Sequence, residues 1–230
     1  RVTVGDEMAD IVAPRGGRVS ATIADRFPQT VLPAATRVAM SAPAEPTPNQ
    51  SQALAATRAW VETFVVARNV CPFAGREVAR DTIRYVAVDA GDWERALLTL
   101  VAECERLDET PAIETTLLVL TPGLEAFDDY LDFLAVAEAL LDDQGFEGIY
   151  QLASFHPDYC FEGAEEEDAA NFTNRSPWPM LHLLREAGLE RALEHYPDPE
   201  AIPERNMEAM RELGTAALAS ALAALRDGKR

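Results

Sequence analysis

The chain has 230 residues, 48% of them hydrophobic, and a formal net charge of -19. A chain of this length and composition can bury one sizeable core, so we expect a single globular domain. The acidic balance disfavours nucleic acid and anionic membrane surfaces as partners, because both repel a negatively charged protein.

Cysteine content and hydropathy narrow the class of protein further. The chain has 3 cysteines, with no C-x-x-C spacing, which favours neither a disulfide framework nor a thiolate zinc site. It contains no run approaching the ~20 apolar residues of a membrane helix, and its first residues lack the apolar core of a secretory signal. We therefore expect a cytoplasmic protein without a membrane contact.

The first part of the chain differs in composition from the rest. Residues 1–49 begin without Met, lack a sustained helical or strand period, and end in a segment rich in proline and alanine. Their arginines balance their acidic residues, so the net charge comes from the remainder. This pattern predicts a disordered leader or translated sequence upstream of a start at Met40, and we favour the second interpretation. The predicted domain then covers residues 50–230.

Between residues 51 and 155 the hydrophobic pattern alternates between helix and strand periods. The strands are predicted at residues 81–89, 115–120 and 148–155. One helix is predicted at residues 51–69, a second begins after the N-cap Asp92, and a third follows the second strand and ends near Gly145. Strand and helix alternating at this spacing are typical of parallel sheets. The predicted fold class is α/β, with a small, mainly parallel sheet of three core strands in βαβαβ order packed by helices.

A further helix is predicted to begin at Ser176, because serine is a good N-cap and Pro177 suits the first helical position. On such a helix Trp178, His182 and Arg185 would share roughly one face. Two more helices are predicted over residues 189–195 and 207–225.

Chemistry-bearing residues concentrate between residues 151 and 185. The third predicted strand ends at His156, and ligands of open α/β sheets gather at the carboxyl ends of strands. Histidine titrates near neutral pH and binds metals when neutral, so His156 and His182 are candidate acid/base groups or ligands of a divalent metal ion. We expect the two imidazoles to border one cavity. The alternative for each is a buried structural histidine.

A candidate anion site lies beside the predicted helix start. The guanidinium of Arg175 and the free N–H groups of a helix N-terminus both favour phosphate or carboxylate. Asn174, Ser176, Trp178 and Arg185 complete the predicted substrate-binding set. The alternative for Arg175 is a structural ion pair with one of the many acidic residues.

The cysteines have different expected roles. Cys71, next to Pro72, is a candidate nucleophile or ligand near the pocket, although no base is visible beside it in the sequence. Cys104 falls on the apolar stripe of a predicted helix and is expected to be a core residue. Cys160 follows His156 closely and is more readily read as a small buried side chain.

Several separated motifs occur in one order along the chain: Trp60, CPFA at 71–74, ETTL at 114–117, QLASFHP at 151–157, NRSP at 174–177 and LHLLR at 181–185. This pattern, over roughly residues 51–225, resembles the bacterial family catalogued as domain of unknown function 1415. The resemblance implies a cytoplasmic bacterial single-domain protein and supports the choice of residues, but it implies no reaction. The segment before Met40 has no counterpart in that pattern.

Three functional hypotheses follow. The first is an enzyme acting on a small anionic metabolite, with His156 and His182 as acid/base groups or metal ligands, Arg175 and Arg185 as anion clamps, and Cys71 nearby. The second is a non-catalytic protein that binds a metal or a metabolite with the same residues. The third is that the polar motifs only stabilise an irregular connection between residues 155 and 176. Glycine-rich phosphate loops and serine-hydrolase elbows do not occur in the sequence.

Overall fold

A four-stranded sheet forms the middle layer of the protein, with helices on both faces. The computed structural model describes residues 45–228. The strands are β1 (Ile83–Val88), β2 (Thr115–Leu120), β3 (Tyr150–Phe155) and β4 (Met180–Arg185). The helices are α1 (Pro48–Trp60), α2 (Ala74–Arg80), α3 (Trp93–Glu109), α4 (Phe127–Asp143), α5 (Glu186–Leu193), α6 (Ile202–Leu213) and α7 (Thr215–Arg226). A π-helical turn, Val61–Val66, continues α1, and 3-10 turns occupy Ala169–Thr173 and Pro199–Ala201.

The α/β class and the three predicted strands are confirmed. Helix α3 begins as expected, because the carboxylate of Asp92 accepts the backbone N–H of Arg95 at 3.1 Å. Strand β2 is buried along its whole length, as its near-continuous apolar run predicts. The predicted terminal helix is divided at Gly214 into α6 and α7. Helix α2 was not predicted.

The prediction of a mainly parallel sheet is wrong. The strand order is β1-β2-β4-β3, in which β1 and β2 pair in parallel while β4 runs antiparallel to both β2 and β3. The three predicted strands do point in one direction, as a βαβαβ chain requires. A fourth, unpredicted strand lies between β2 and β3 and makes the sheet mixed.

The predicted helix from Ser176 is also wrong, because that segment forms β4. Met180–Arg185 is a short apolar run, and such a run cannot be assigned to helix or strand from its periodicity alone. Pro179 disfavours helical conformation at the residue before it, which is Trp178. Hydrogen bonding to two neighbouring strands then decides in favour of the strand.

Two hydrophobic cores lie on opposite faces of the sheet. On one face, α3 and α4 pack against β1, β2 and β4, and this core includes Leu100, Leu118 and Tyr130. On the other face, α1, α6 and α7 form a core that includes Trp60, Leu117 and Met210. Because side chains alternate along a strand, the face on which a β4 residue lies determines which of the two cores it meets.

Within residues 45–228, none of the helices combines the length and the apolar content that crossing a bilayer requires.

The start of α1 is defined by a capping box. The hydroxyl of Thr47 accepts the backbone N–H of Gln50 at 3.3 Å, and the side-chain oxygen of Gln50 accepts the backbone N–H of Thr47 at 3.0 Å. The helix therefore begins two residues before the boundary that composition indicated. Most of the predicted leader, residues 1–44, lies outside the described residues.

We predict that Thr47→Ala destabilises the protein by about 1 kcal/mol, because it removes the N-cap of α1. For a domain of this size the melting temperature should fall by about 2–4 °C. Thr63→Ala is the matched control, since Thr63 is exposed and its hydroxyl bonds only to the backbone carbonyl of Ala59, at 2.6 Å. Equal melting temperatures for the two variants in a calorimetric scan would contradict the prediction.

Candidate functional site

A cavity of about 450 Å³, called here the main cavity, lies against the sheet face covered by α1. Its walls are mainly apolar side chains from the sheet, α1 with its π-helical turn, α5 and α6. They include Trp60, Val65, Leu117, Phe155, Leu189 and Met207. Cavities of a few hundred Å³ with apolar walls and a few polar groups are typical of small-molecule sites.

Four of the eight residues in the predicted site line the main cavity: Cys71, Asn174, His182 and Arg185. The other four, His156, Arg175, Ser176 and Trp178, do not line it. The two groups differ in what their polar atoms contact, and the contacts decide which of them are available to a ligand.

His182 faces the main cavity from the middle of the sheet. Its Nε2 lies 2.6 Å from the hydroxyl oxygen of Thr115, and that hydroxyl donates its hydrogen to the carbonyl of Leu183, also at 2.6 Å. Thr115 can therefore only accept from His182, which makes Nε2 the protonated nitrogen and leaves Nδ1 unprotonated. Burial lowers the pKa of His182 to about 4, so the ring is neutral at physiological pH.

Cys71 reaches the main cavity from the turn before α2. Burial raises the pKa of its thiol above the ordinary value, and the nearby backbone of Phe73 and Ala74 lowers the pKa by a smaller amount. The thiol is therefore protonated at neutral pH. Cys104 is fully buried in the opposite core, and burial together with nearby carboxylates raises its pKa strongly. The expectation that Cys104 is a core residue is confirmed.

Arg185 ends β4 and has its guanidinium occupied by backbone groups. It donates to the carbonyls of Leu107 and Ile113, the latter at 3.1 Å, and to the hydroxyl of Tyr150 at 3.3 Å. These contacts join the end of β4 to the end of α3 and the start of β3. These three hydrogen bonds hold the Arg185 side chain in its observed position without a ligand.

His156 is fully buried on the other face of the sheet, where its ring packs against Phe127 and Tyr130. Its Nδ1 accepts the backbone N–H of Asp158 at 3.0 Å, so Nε2 carries the hydrogen that is donated to the carbonyl of Leu124, also at 3.0 Å. Burial lowers the pKa of this imidazole. Both ring nitrogens are used by the backbone.

The structure does not bring His156 and His182 to one cavity. His182 pairs with Leu117 and Ala153 and shares their face of the sheet, whereas His156 packs against α4 on the opposite face. The two imidazoles therefore cannot ligate the same metal ion. Among residues 45–228, no group of three or more His, Cys, Asp and Glu side chains is arranged to hold a metal ion.

The remaining predicted residues hold the connection between β3 and β4. Asn174 donates to the carbonyl of Ser154 at 3.1 Å, and Ser176 donates to the carbonyl of Trp178 at 2.7 Å. Arg175 donates to the carbonyls of Tyr159 and Glu166, at 2.9 and 2.8 Å. These contacts correspond to the third hypothesis, in which the motifs stabilise an irregular segment.

Trp178 lies outside the main cavity, with the guanidinium of Arg226 4.9 Å from the centre of its ring. Its indole nitrogen is buried and, among the described residues, has no hydrogen-bond partner.

Sequence reasoning missed polar residues at the opposite end of the sheet. Glu77, Glu114, Thr115 and Asn206 line the main cavity, but none was chosen as a site residue. The general rule directed attention to the carboxyl end of β3, whereas β4 runs the other way and brings its own carboxyl end to the amino ends of β2 and β3. The position of Glu114 and Thr115 at the start of a buried strand was the feature of the sequence that could have identified them as candidates.

Comparison with known proteins gives one match. The model of the family described as Protein of unknown function (DUF1415) matches residues 52–220, which is most of the chain. Searches of the curated proteins and of the solved structures returned no match.

The pKa of His182 generates a prediction about acid stability. The folded protein keeps this imidazole neutral down to about pH 4, whereas in the unfolded chain it takes up a proton near pH 6.5. Below about pH 6.5 the unfolded state therefore binds more protons, and stability falls as the pH is lowered toward 4. His182→Gln, which keeps a donor for Thr115, should lose less unfolding free energy than wild type between pH 7.5 and 5.0.

Urea unfolding at the two pH values measures this difference. His195→Gln is the control, since His195 is exposed and should leave the pH dependence at the wild-type value. An identical loss of stability in wild type and His182→Gln would contradict the neutral, buried state of His182.

The cysteines should react in a defined order. We predict that a small thiol reagent modifies Cys71 well before Cys104 in the native protein, because Cys71 lines the main cavity and Cys104 is fully buried. The rate at Cys71 should increase as the pH rises through 9, since burial raises the pKa of this thiol. Peptide mapping after timed alkylation with iodoacetamide gives the order, and earlier labelling of Cys104 would reverse the assignment.

Proposed function

The chain belongs to the DUF1415 family, whose description names no activity, and we propose from the geometry of the main cavity that the protein binds a small molecule with a largely apolar body. The single observation that carries this proposal is the cavity itself. About 450 Å³ of space lies beside the sheet, between apolar walls, with polar groups at a few positions.

The apolar walls define the body of the ligand. Trp60, Phe155 and Leu117 line the cavity and belong to the second core of the protein. Burying apolar surface of a ligand here would contribute roughly 25 cal/mol for each Å² removed from water. A ligand of mainly hydrocarbon or aromatic character therefore gains most from this site.

The polar groups define its orientation. His182 is a neutral imidazole bonded to Thr115, and its Nδ1 is an acceptor according to the hydrogen-bond pattern. Asn206 is held by the carbonyl of Val70, to which its amide donates at 2.7 Å, and so presents a fixed side chain to the same space. A ligand with one polar group suits this arrangement better than a polyanion.

A small anionic metabolite, which the sequence motifs favoured, fits the cavity less well. Arg175 lies outside the lining and bonds to two backbone carbonyls. Arg185 lines the cavity, but its donors are directed at two carbonyls and a tyrosine hydroxyl. Glu77 and Glu114 add carboxylates to the lining.

Catalysis is a second candidate, and one observation favours it. Cys71, a candidate nucleophile, lines the same cavity as His182, a candidate base. Burial opposes formation of the thiolate, so a bound substrate or the unprotonated nitrogen of His182 would have to favour it. Mass measurement of an acyl adduct at Cys71 after incubation with p-nitrophenyl butyrate separates this candidate from binding alone.

We predict that the uncharged fluorescent probe N-phenyl-1-naphthylamine binds saturably in the main cavity. Ala192→Trp should weaken this binding about tenfold or more, because Ala192 of α5 lines the cavity and the larger side chain fills part of it. A fluorescence titration of wild type and variant measures the two dissociation constants.

Ala219→Trp is the matched control, since Ala219 lies on α7, is exposed and does not line the cavity. Its affinity for the probe should equal that of wild type. Equal affinities for Ala192→Trp and Ala219→Trp, or no saturable binding by the wild-type protein, would contradict the proposed function.

A further inference from the structure

Glu114 lies where the main cavity meets a second cavity of about 480 Å³. Glu114, Arg185 and Gly188 line both spaces. Glu114 directly precedes β2, and its backbone N–H donates to the carbonyl of Thr82 at 3.0 Å, which holds the main chain of Glu114 in place. The side chain is therefore presented at one end of the main cavity by a rigid strand.

The carboxylate of Glu114 has no partner within residues 45–228, where neither a hydrogen bond nor an ion pair reaches its oxygens. The side chain is half-buried, and a polar group removed from water without a partner costs free energy. Glu103 shows how the same fold treats a carboxylate that it uses structurally, since Arg84 donates to both of its oxygens, at 2.6 and 3.1 Å. Glu77 likewise accepts the hydroxyl of Thr82, at 2.7 Å.

Gly188 provides the space for this carboxylate. A Cβ atom at position 188 would lie 2.3 Å from Oε1 of Glu114, which is closer than any side chain allows. The backbone at Gly188 does not have a positive φ, so conformation alone does not require glycine there. Glycine inside a helix costs roughly 0.5–1 kcal/mol relative to alanine. Glycine leaves Oε1 of Glu114 in its present place, and a larger residue at position 188 would require the flexible end of the Glu114 side chain to move.

Two arginines share the cavities with Glu114, namely Arg185 and Arg191, and within residues 45–228 neither forms an ion pair with it. The guanidinium of Arg185 is directed at the carbonyls of Leu107 and Ile113 and at the hydroxyl of Tyr150, and its nitrogens lie outside ion-pair distance of the carboxylate. The imidazole of His182 is occupied with Thr115. One end of the mainly apolar cavity thus carries a carboxylate that has no ion-pair partner among residues 45–228.

We propose that Glu114 recognises a protonated amine, so that the ligand is an organic cation with an apolar body lying along the main cavity. This inference rests on the proposed function and adds the charge of the ligand to it. An ammonium group at Glu114 would donate to the carboxylate in a charge-assisted hydrogen bond, which is stronger than one between neutral groups. A carboxylate at the same place would meet like charge.

The test uses three ligands of one chain length: octylamine, octanol and octanoate. Each is titrated into the full chain at pH 7.5, where the amine is protonated, and displacement of N-phenyl-1-naphthylamine reports its affinity. In wild type, octylamine should bind about tenfold or more tightly than octanol, as expected for a hydrogen bond to a charged group. Octanoate should bind more weakly than octanol.

Glu114→Gln removes the charge and keeps the size of the side chain. In this variant the dissociation constants of octylamine and octanol should differ by no more than about twofold, while octanol keeps its wild-type affinity. That second value also shows that the cavity is intact. Glu190→Gln is the control, because Glu190 is an exposed residue of α5 outside both cavities, and the variant should retain the preference for the amine.

An amine preference that survives in Glu114→Gln, or octanoate binding as tightly as octylamine in wild type, would overturn the role of Glu114. Binding of octanol without any preference for the amine would do so too, while leaving the proposed function intact. Failure of the probe and of all three ligands to bind would instead overturn the proposed function itself. If Glu114→Gln does not fold, Glu114→Asp withdraws the carboxylate by one methylene and should reduce the preference.

Discussion

Strand β4 is the element on which the rest of the molecule depends, because it is hydrogen-bonded on both sides and buried between two layers of helices. It pairs with β2 along one edge and with β3 along the other, so β3 belongs to the sheet only through β4. Leu181 and Leu183 enter one core, whereas Met180 enters the other. The start of the strand is held by Tyr130, whose hydroxyl donates to the carbonyl of Met180 and accepts the N–H of Phe155. This tyrosine therefore bonds to both strands at the position where Phe155 pairs with Met180.

The long connection that delivers β4 is stabilised chiefly by contacts to its own backbone. Asn171 is fully buried, accepts the N–H of Phe161 and donates to the carbonyl of Glu165. Arg175 donates to the carbonyls of Tyr159 and Glu166, and Nδ1 of His156 accepts the N–H of Asp158, all within the same connection. A buried irregular segment has to satisfy its backbone groups in this way, since no neighbouring strand does so. The concentration of His, Asn and Arg between residues 156 and 176 thus has a structural cause, although Asn174 also lines the main cavity.

The parts of the fold that could be predicted from the sequence are those that depend on contacts between neighbouring residues. Helix α3 and strands β1, β2 and β3 were found from periodicity and from a cap at Asp92, which are properties of neighbouring residues. The identity of β4 depends on two strands that are remote in sequence, and the predicted helix there placed His182 and Arg185 on one face. In the strand they lie on alternate faces. Glu114 and Thr115 were overlooked because the strand-end rule directed attention to His156, although His182, Cys71, Asn174 and Arg185 were chosen.

The arginines that act as internal donors also determine which exchanges the protein can tolerate. Arg185 serves three acceptors on separate elements, and Arg175 bridges two carbonyls of one loop. A planar fork of N–H groups can do this, whereas the ammonium of lysine is a compact point charge on a flexible stem. Within residues 45–228 the chain has no lysine at all. An Arg-to-Lys substitution, normally regarded as conservative, would therefore leave backbone carbonyls without donors at these two positions, and homologous chains should vary there less than their charge alone would suggest.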